Sequence, residues 1–150
     1  MGKILIINGA NFSDNALPAE NIHTVGELLT YKGYVKVENG ALTQVENSAG
    51  AWRCAILELQ PGMYVENLTA VSTWGSTSSQ VSVKIPPVIF LTSDQLSGYI
   101  SGSEVYAQGS TTFATFSGVL NPPSSATYVV MNTNLEQGGS ATSIISWQDE

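Results

Sequence analysis

The chain is poor in the side chains that do chemistry. It has one His (His23), one Cys (Cys54), five basic residues and twelve carboxylates scattered over 150 positions. Enzyme sites need titratable groups that converge to move protons or hold metals, and few are present here to converge. A single Cys cannot form an intrachain disulfide, so stability must come from a core rather than from covalent staples. Cys54 lies in the apolar run Ala51-Trp-Arg-Cys-Ala-Ile-Leu-Glu-Leu59, which points to a buried, inert thiol rather than a nucleophile. Charged residues make up only 11% of the chain, so Ser, Thr, Asn and Gln must cover much of the surface. A basic stripe is also missing. The net charge of −7 argues against nucleic acid and against docking on an anionic membrane. No apolar run reaches transmembrane length. Lys3-Ile-Leu-Ile-Ile7 is too short for a signal peptide and is broken by Asn8-Gly9-Ala10-Asn11. The expectation is a protein that folds where it is made, and there the formal glycosylation sequons at Asn11 and Asn67 carry little weight.

What remains is a run of short β-rich segments punctuated by turn residues. A length of 150 residues fits one domain with a real core. The candidate strands are 34–38, 41–45, 51–59, 63–72, 80–91, 98–106, 110–117, 126–132 and 140–147. Between them stand Asn39-Gly40, Gln60-Pro61-Gly62, Trp74-Gly75-Ser76, Ser97-Gly98, Gln108-Gly109, Asn121-Pro122-Pro123 and Gly138-Gly139. Asn-Gly favours a type I′ hairpin and Pro-Gly a type II turn. Strands at this spacing, with no long helical period, indicate an all-β sandwich or barrel. Tyr128, Val130 and Asn132 should share one face, and Val129, Met131 and Thr133 the other. Pro86-Pro87 should split the 80–91 run, with a kink or a change of sheet, because Pro lacks the ladder N–H.

The first thirty residues read differently. Ile4–Ile7 is a short strand, and residues 12–20 are irregular. Asn21 is placed to cap a brief helical turn through Ile22 to Leu29, weakened by Gly26. Residues 1–30 are read as an arm or docking segment with assembly anchors at Ile4, Ile6, Phe12 and Leu17. The alternative is that they supply the first strand of the sandwich. Residues 31–150 form the β domain.

From Trp52 onward the order of motifs resembles a known family. Gly33-Tyr34-Val35, Trp52 in its apolar strand and Leu59-Gln-Pro-Gly-Met-Tyr64 come first. Val88-Ile-Phe-Leu-Thr-Ser-Asp94 and Gly98-Tyr99-Ile100-Ser-Gly102 follow. Phe113, Phe116, Asn121-Pro122-Pro123 and Ala126-Thr-Tyr-Val-Val-Met-Asn132 close the series. Over residues 33–147 this order is similar to the carbohydrate-binding-module-like jelly roll of bacteriophage fibre and virion proteins and of related gut-bacterial surface proteins. Ile6-Ile-Asn-Gly-Ala-Asn-Phe-Ser13 resembles the start of proteins from phages of gut Bacteroidales. Pro86-Pro87 and Trp74-Gly75-Ser76 depart from the pattern. The resemblance implies a jelly-roll sandwich on a virion surface, made in the cytoplasm of the host bacterium. Its implied partners are other virion proteins, further copies of itself (a trimer among the options) and a host surface glycan. It also implies an optional structural calcium, for which Asp94 is the one ligand to name.

His23 sits in the irregular arm, and no Gly-x-Ser-x-Gly elbow accompanies it. Glu58, Glu66, Asp94 and Glu104 fall on different β segments, whereas a glycosidase needs two converging carboxylates. No phosphate loop or zinc spacing occurs. The reading is therefore non-enzymatic, with no catalytic residue and no required cofactor. Sugar binding needs an aromatic face beside polar groups. Trp74 in its Gly/Ser loop is the first candidate, followed by Tyr99, Tyr106 and Tyr31. Trp52 and Tyr128 are assigned to the core.

Overall fold

A computed structural model of the chain describes residues 2–7, 29–31, 33–46, 52–71, 85–106, 113–134 and 143–148. All ten of its strands are antiparallel: β1 (Gly2–Ile7), β2 (Leu29–Tyr31), β3 (Gly33–Glu38), β4 (Ala41–Glu46), β5 (Trp52–Glu58), β6 (Tyr64–Val71), β7 (Val88–Leu91), β8 (Phe113–Val119), β9 (Tyr128–Asn134) and β10 (Ser143–Gln148). Among the described residues one 3₁₀ turn, Leu96–Gly98, interrupts them. The protein is all-β, as its turn punctuation implies.

The strands form two four-stranded sheets and a hairpin. The outer sheet has the order β1-β10-β6-β8 and the middle sheet the order β2-β5-β9-β7, while β3 and β4 pair alone. Among the described residues, successive strands from β5 onward alternate between the two four-stranded sheets. One of these changes falls between β6 and β7, where Pro86-Pro87 stands. Leu29 opens β2 instead of closing a helical turn; the remainder of that expected turn lies outside the described residues.

Alternation decides what each face of the middle sheet meets. Ala55 and Leu57 of β5, with Val129 and Met131 of β9, pack against Val65, Leu68, Ile145 and Trp147 of the outer sheet. Cys54, Ile56 and Val130 point the other way and pack with Val35 of the hairpin. The middle sheet is thus buried on both faces. This matches near-continuous apolar runs such as Cys54-Ala-Ile-Leu57, all buried. Trp52 joins the layers at one end, with its ring 5.1 Å from Tyr34 and 6.2 Å from Phe113.

Two polar devices hold the layers. Asn132 is fully buried on β9. Its Oδ1 accepts from the Val35 N–H at 2.9 Å, and its Nδ2 donates to the carbonyls of Val35 and Pro86, each at 2.8 Å. One side chain thereby offers strand β3 the hydrogen bonds that a neighbouring strand would give. The second device sits at a bulge. The β6–β8 register slips between Val65 and Leu68, and Asn67 takes φ +66°. The Asn67 carbonyl accepts from Ser143 Oγ at 2.7 Å, and Ser143 Oγ lies 2.8 Å from Thr133 Oγ1. Thr69 N–H donates to Thr133 Oγ1 at 3.3 Å. These small hydroxyl residues satisfy the buried backbone that the bulge frees.

The strand expected over 98–106 does not form as one. After β7 the chain folds through the 3₁₀ turn and returns along β7 with two isolated bridges, Leu91 to Tyr99 and Val88 to Val105. Between the bridges Gly102 takes φ +82° and pushes the chain off the ladder. The return is closed tightly at Gly98, where a Cβ would lie 2.8 Å from both Ser93 Oγ and Thr92 Oγ1.

Candidate functional site

A concavity among the described residues lies where the tip of the β3–β4 hairpin meets the loop after β7. Local sequence makes both walls. Asn39 (φ 55°) and Gly40 (φ 77°) form the tight hairpin turn, which sets Ala41 and Leu42 at one side. Facing them are Leu96, Ser97 and Tyr99, and the groove holds about 360 Å³. Leu42, Leu96 and Tyr99 also pack against the second core cluster, so both walls stand on the buried middle sheet. The loop wall is braced from within. Thr92 N–H donates to the Gly98 carbonyl, Gly98 N–H to Gln95, and Tyr99 N–H to Leu96. Thr127 Oγ1 ties the loop to the middle sheet through the Thr92 carbonyl at 2.8 Å.

Tyr99 is oriented by its phenol, which donates to Glu104 Oε1 at 2.7 Å. Burial, and then that hydrogen bond and charge, push the phenol's pKa up. Tyr106 stands in the same field and is pushed up to about 12, first by burial and then by the Glu104 charge and Tyr99. Both phenols therefore stay protonated at neutral pH, and both can donate. The groove lining carries no charged side chain. Such a site can offer a ring face, two Leu side chains, the Ser97 hydroxyl and backbone groups of the turn. It is suited to an uncharged ligand at the small end of the usual range for binding sites.

The structure brings Tyr99 and Tyr106 together around Glu104. Tyr31 lies in β2, paired with Cys54. Trp74 lies outside the described residues. Ile4 and Ile6 are in β1, paired with Ser146 and Ile144 of β10; Phe12 and Leu17 lie outside the described residues. The Asp94 Oδ1 accepts from Gln95 Nε2 at 3.1 Å. Among the described residues no group of three His, Cys, Asp or Glu side chains gathers to hold a metal. Cys54 is buried, and desolvation pushes its thiol up to about 12. Trp52 is buried and Tyr128 partly buried against the second cluster.

Sequence reasoning missed the hairpin wall and the role of Glu104. Gly40, Ala41 and Leu42 come to the site only through packing across the middle sheet, which no local pattern encodes. Glu104 did leave a signal: a Gly two residues before it allowed the chain to double back toward Tyr99. No protein-family model, no curated protein and no solved structure matches the chain.

Proposed function

We propose that the chain is a non-enzymatic structural and adhesion module of a bacteriophage particle, a fibre, decoration or receptor-binding component built as a jelly roll. The observation that carries this reading is the path of the chain. Among the described residues, successive strands from β5 onward alternate between two facing antiparallel sheets, and β1 lies beside β10. This layout supports the jelly roll implied by the motif order over residues 33–147. Its neighbours in that role are other virion proteins and copies of itself, on the virion surface. The test is mass spectrometry of purified particles released from the host bacterium. The chain should be present at a fixed ratio to the major capsid protein; its absence from particles overturns the reading.

A second reading, a carbohydrate-binding module, is favoured by one specific observation: the uncharged groove walled by Tyr99, whose ring is held in place by Glu104. A fixed ring loses little freedom when a sugar packs on it. Trp74 is the other ring proposed for this role. Glycan-array binding by the purified chain tests this reading, and Tyr99→Ala should remove binding if the groove is the site.

A further inference from the structure

We propose that Asn39-Gly40, the tip of the β3–β4 hairpin, is a self-modification site, where the chain sheds the Asn39 amide as ammonia and gains a carboxylate on the rim of the groove. The Gly40 backbone nitrogen gives its proton to water and attacks Asn39 Cγ. A nitrogen–carbon bond forms, the bond from Cγ to the side-chain nitrogen breaks, and ammonia leaves after taking up a proton from water. The product is a five-membered cyclic imide. Water then opens the ring. Opening at Cγ gives Asp; opening at the former main-chain carbonyl gives isoaspartate, in which the backbone runs through the side chain. Water is the co-reactant, and nothing is oxidised or reduced.

The residue after an Asn decides whether this ring can close, because its side chain crowds the attacking nitrogen. Asn67, Asn132 and Asn134 are followed by Leu, Thr and Leu, and Asn121 by Pro, which has no N–H to lose. Asn39 is followed by Gly, and a Cβ at Gly40 would meet nothing within 4 Å, so the ring has room. Both residues are exposed to water. Among the described residues neither the Asn39 amide nor the Gly40 N–H makes a hydrogen bond, so no partner has to be given up at either reacting atom. The Asn39–Gly40 peptide has to rotate until its nitrogen faces Cγ, which opens the turn. That opening is local. β3 and β4 pair alone, and the pair that closes the turn, Glu38 with Ala41, is exposed. Segments of this kind open at the low end of a protein's stability range.

The change falls on the groove. Gly40 and Ala41 line it, and its lining carries no charged side chain. Either product adds one negative charge at that rim, beside Glu38. Isoaspartate also adds a carbon to the backbone of a two-residue turn, and the geometry of that turn sets the hairpin wall.

This inference goes beyond the particle and sugar readings and is tested without either. The folded full chain is incubated at mildly alkaline pH, and trypsin then releases residues 37–53 by cleavage after Lys36 and Arg53. Asn8-Gly9 falls in a different fragment. Mass spectrometry of the fragment should show Asn39 replaced by Asp and isoaspartate, with the isoaspartate confirmed by its acceptance of a methyl group from an isoaspartyl methyltransferase. A synthetic peptide of residues 37–53 sets the scale. The folded chain should react no more than about 30-fold more slowly, the factor that ~2 kcal/mol of tip opening imposes. A larger protection, or reaction at Asn47 in place of Asn39, overturns the proposal. Asn39→Gly keeps a turn that accepts positive φ. It should remove the modification from this fragment, and persistence of the modified fragment in that variant overturns the assignment to Asn39.

Discussion

At the scale of single residues, buried polar groups carry more of the fold's specificity than their number implies. Asn132 makes three hydrogen bonds to backbone groups of two other segments. Asn132→Leu would leave those groups buried and unpaired, at about 1–3 kcal/mol each. We expect a loss of at least about 3 kcal/mol in urea unfolding, comparable with the ~3–5 kcal/mol expected for Trp52→Ala. A loss under about 1 kcal/mol would show that water replaces the amide. Cys54 and Tyr106 make a prediction about pH. Both have folded pKa values raised to about 12, from model values of 9.0 and 10.0. The unfolded chain releases these protons first as pH rises, so the folded state binds more protons between about pH 9 and 12. Stability is therefore full below pH 9 and falls across that window. Urea midpoints taken at stepped pH should decline there, and Cys54→Ala should make the decline shallower.

At the scale of elements, the hairpin β3–β4 closes one face of the middle sheet and one wall of the groove. Its turn needs positive φ at Gly40 (77°), and a side chain there would meet open space. Gly40→Val therefore tests backbone strain alone. It should cost about 1–2 kcal/mol and raise the labelling rate of Cys54, which lies under the hairpin, by roughly 5–30-fold. Unchanged labelling would mean that Cys54 is reached through an opening that leaves the strained turn formed. This hairpin was legible from Asn39-Gly40 and the alternation around it. So were the two faces of β9, because alternation and burial agree at Val129, Val130 and Met131. The 98–106 segment was not legible as it folds. Its β-prone residues do bridge to β7 at Tyr99 and Val105, but Gly102 breaks the ladder between them. The pairing of β3 with an amide of β9, 97 positions away, has no local signature at all. The site was legible only as its aromatic residues; what gathers around Tyr99 is set by packing.

At the scale of the whole molecule, the two rings proposed for sugar binding can be separated by one paired experiment. Trp74→Ala and Tyr99→Ala are each measured for thermal melting and for binding to host cells or glycans. Loss of binding with little change in melting assigns the ring to ligand. A lowered melting temperature with binding retained assigns it to packing, as expected for a residue that touches the core. The pairing of β1 with β10 carries a further consequence, for biosynthesis. β1 leaves the ribosome long before β10 and must wait for it before their ladder can form. At translation rates of about 5–20 residues per second, that interval is roughly 7–30 s. Throughout it Lys3-Ile-Leu-Ile-Ile7 is a nascent apolar strand without its mate. Moving the first seven residues to follow β10 by circular permutation would abolish the wait. The permuted chain should give a higher soluble yield at 37 °C than the natural order.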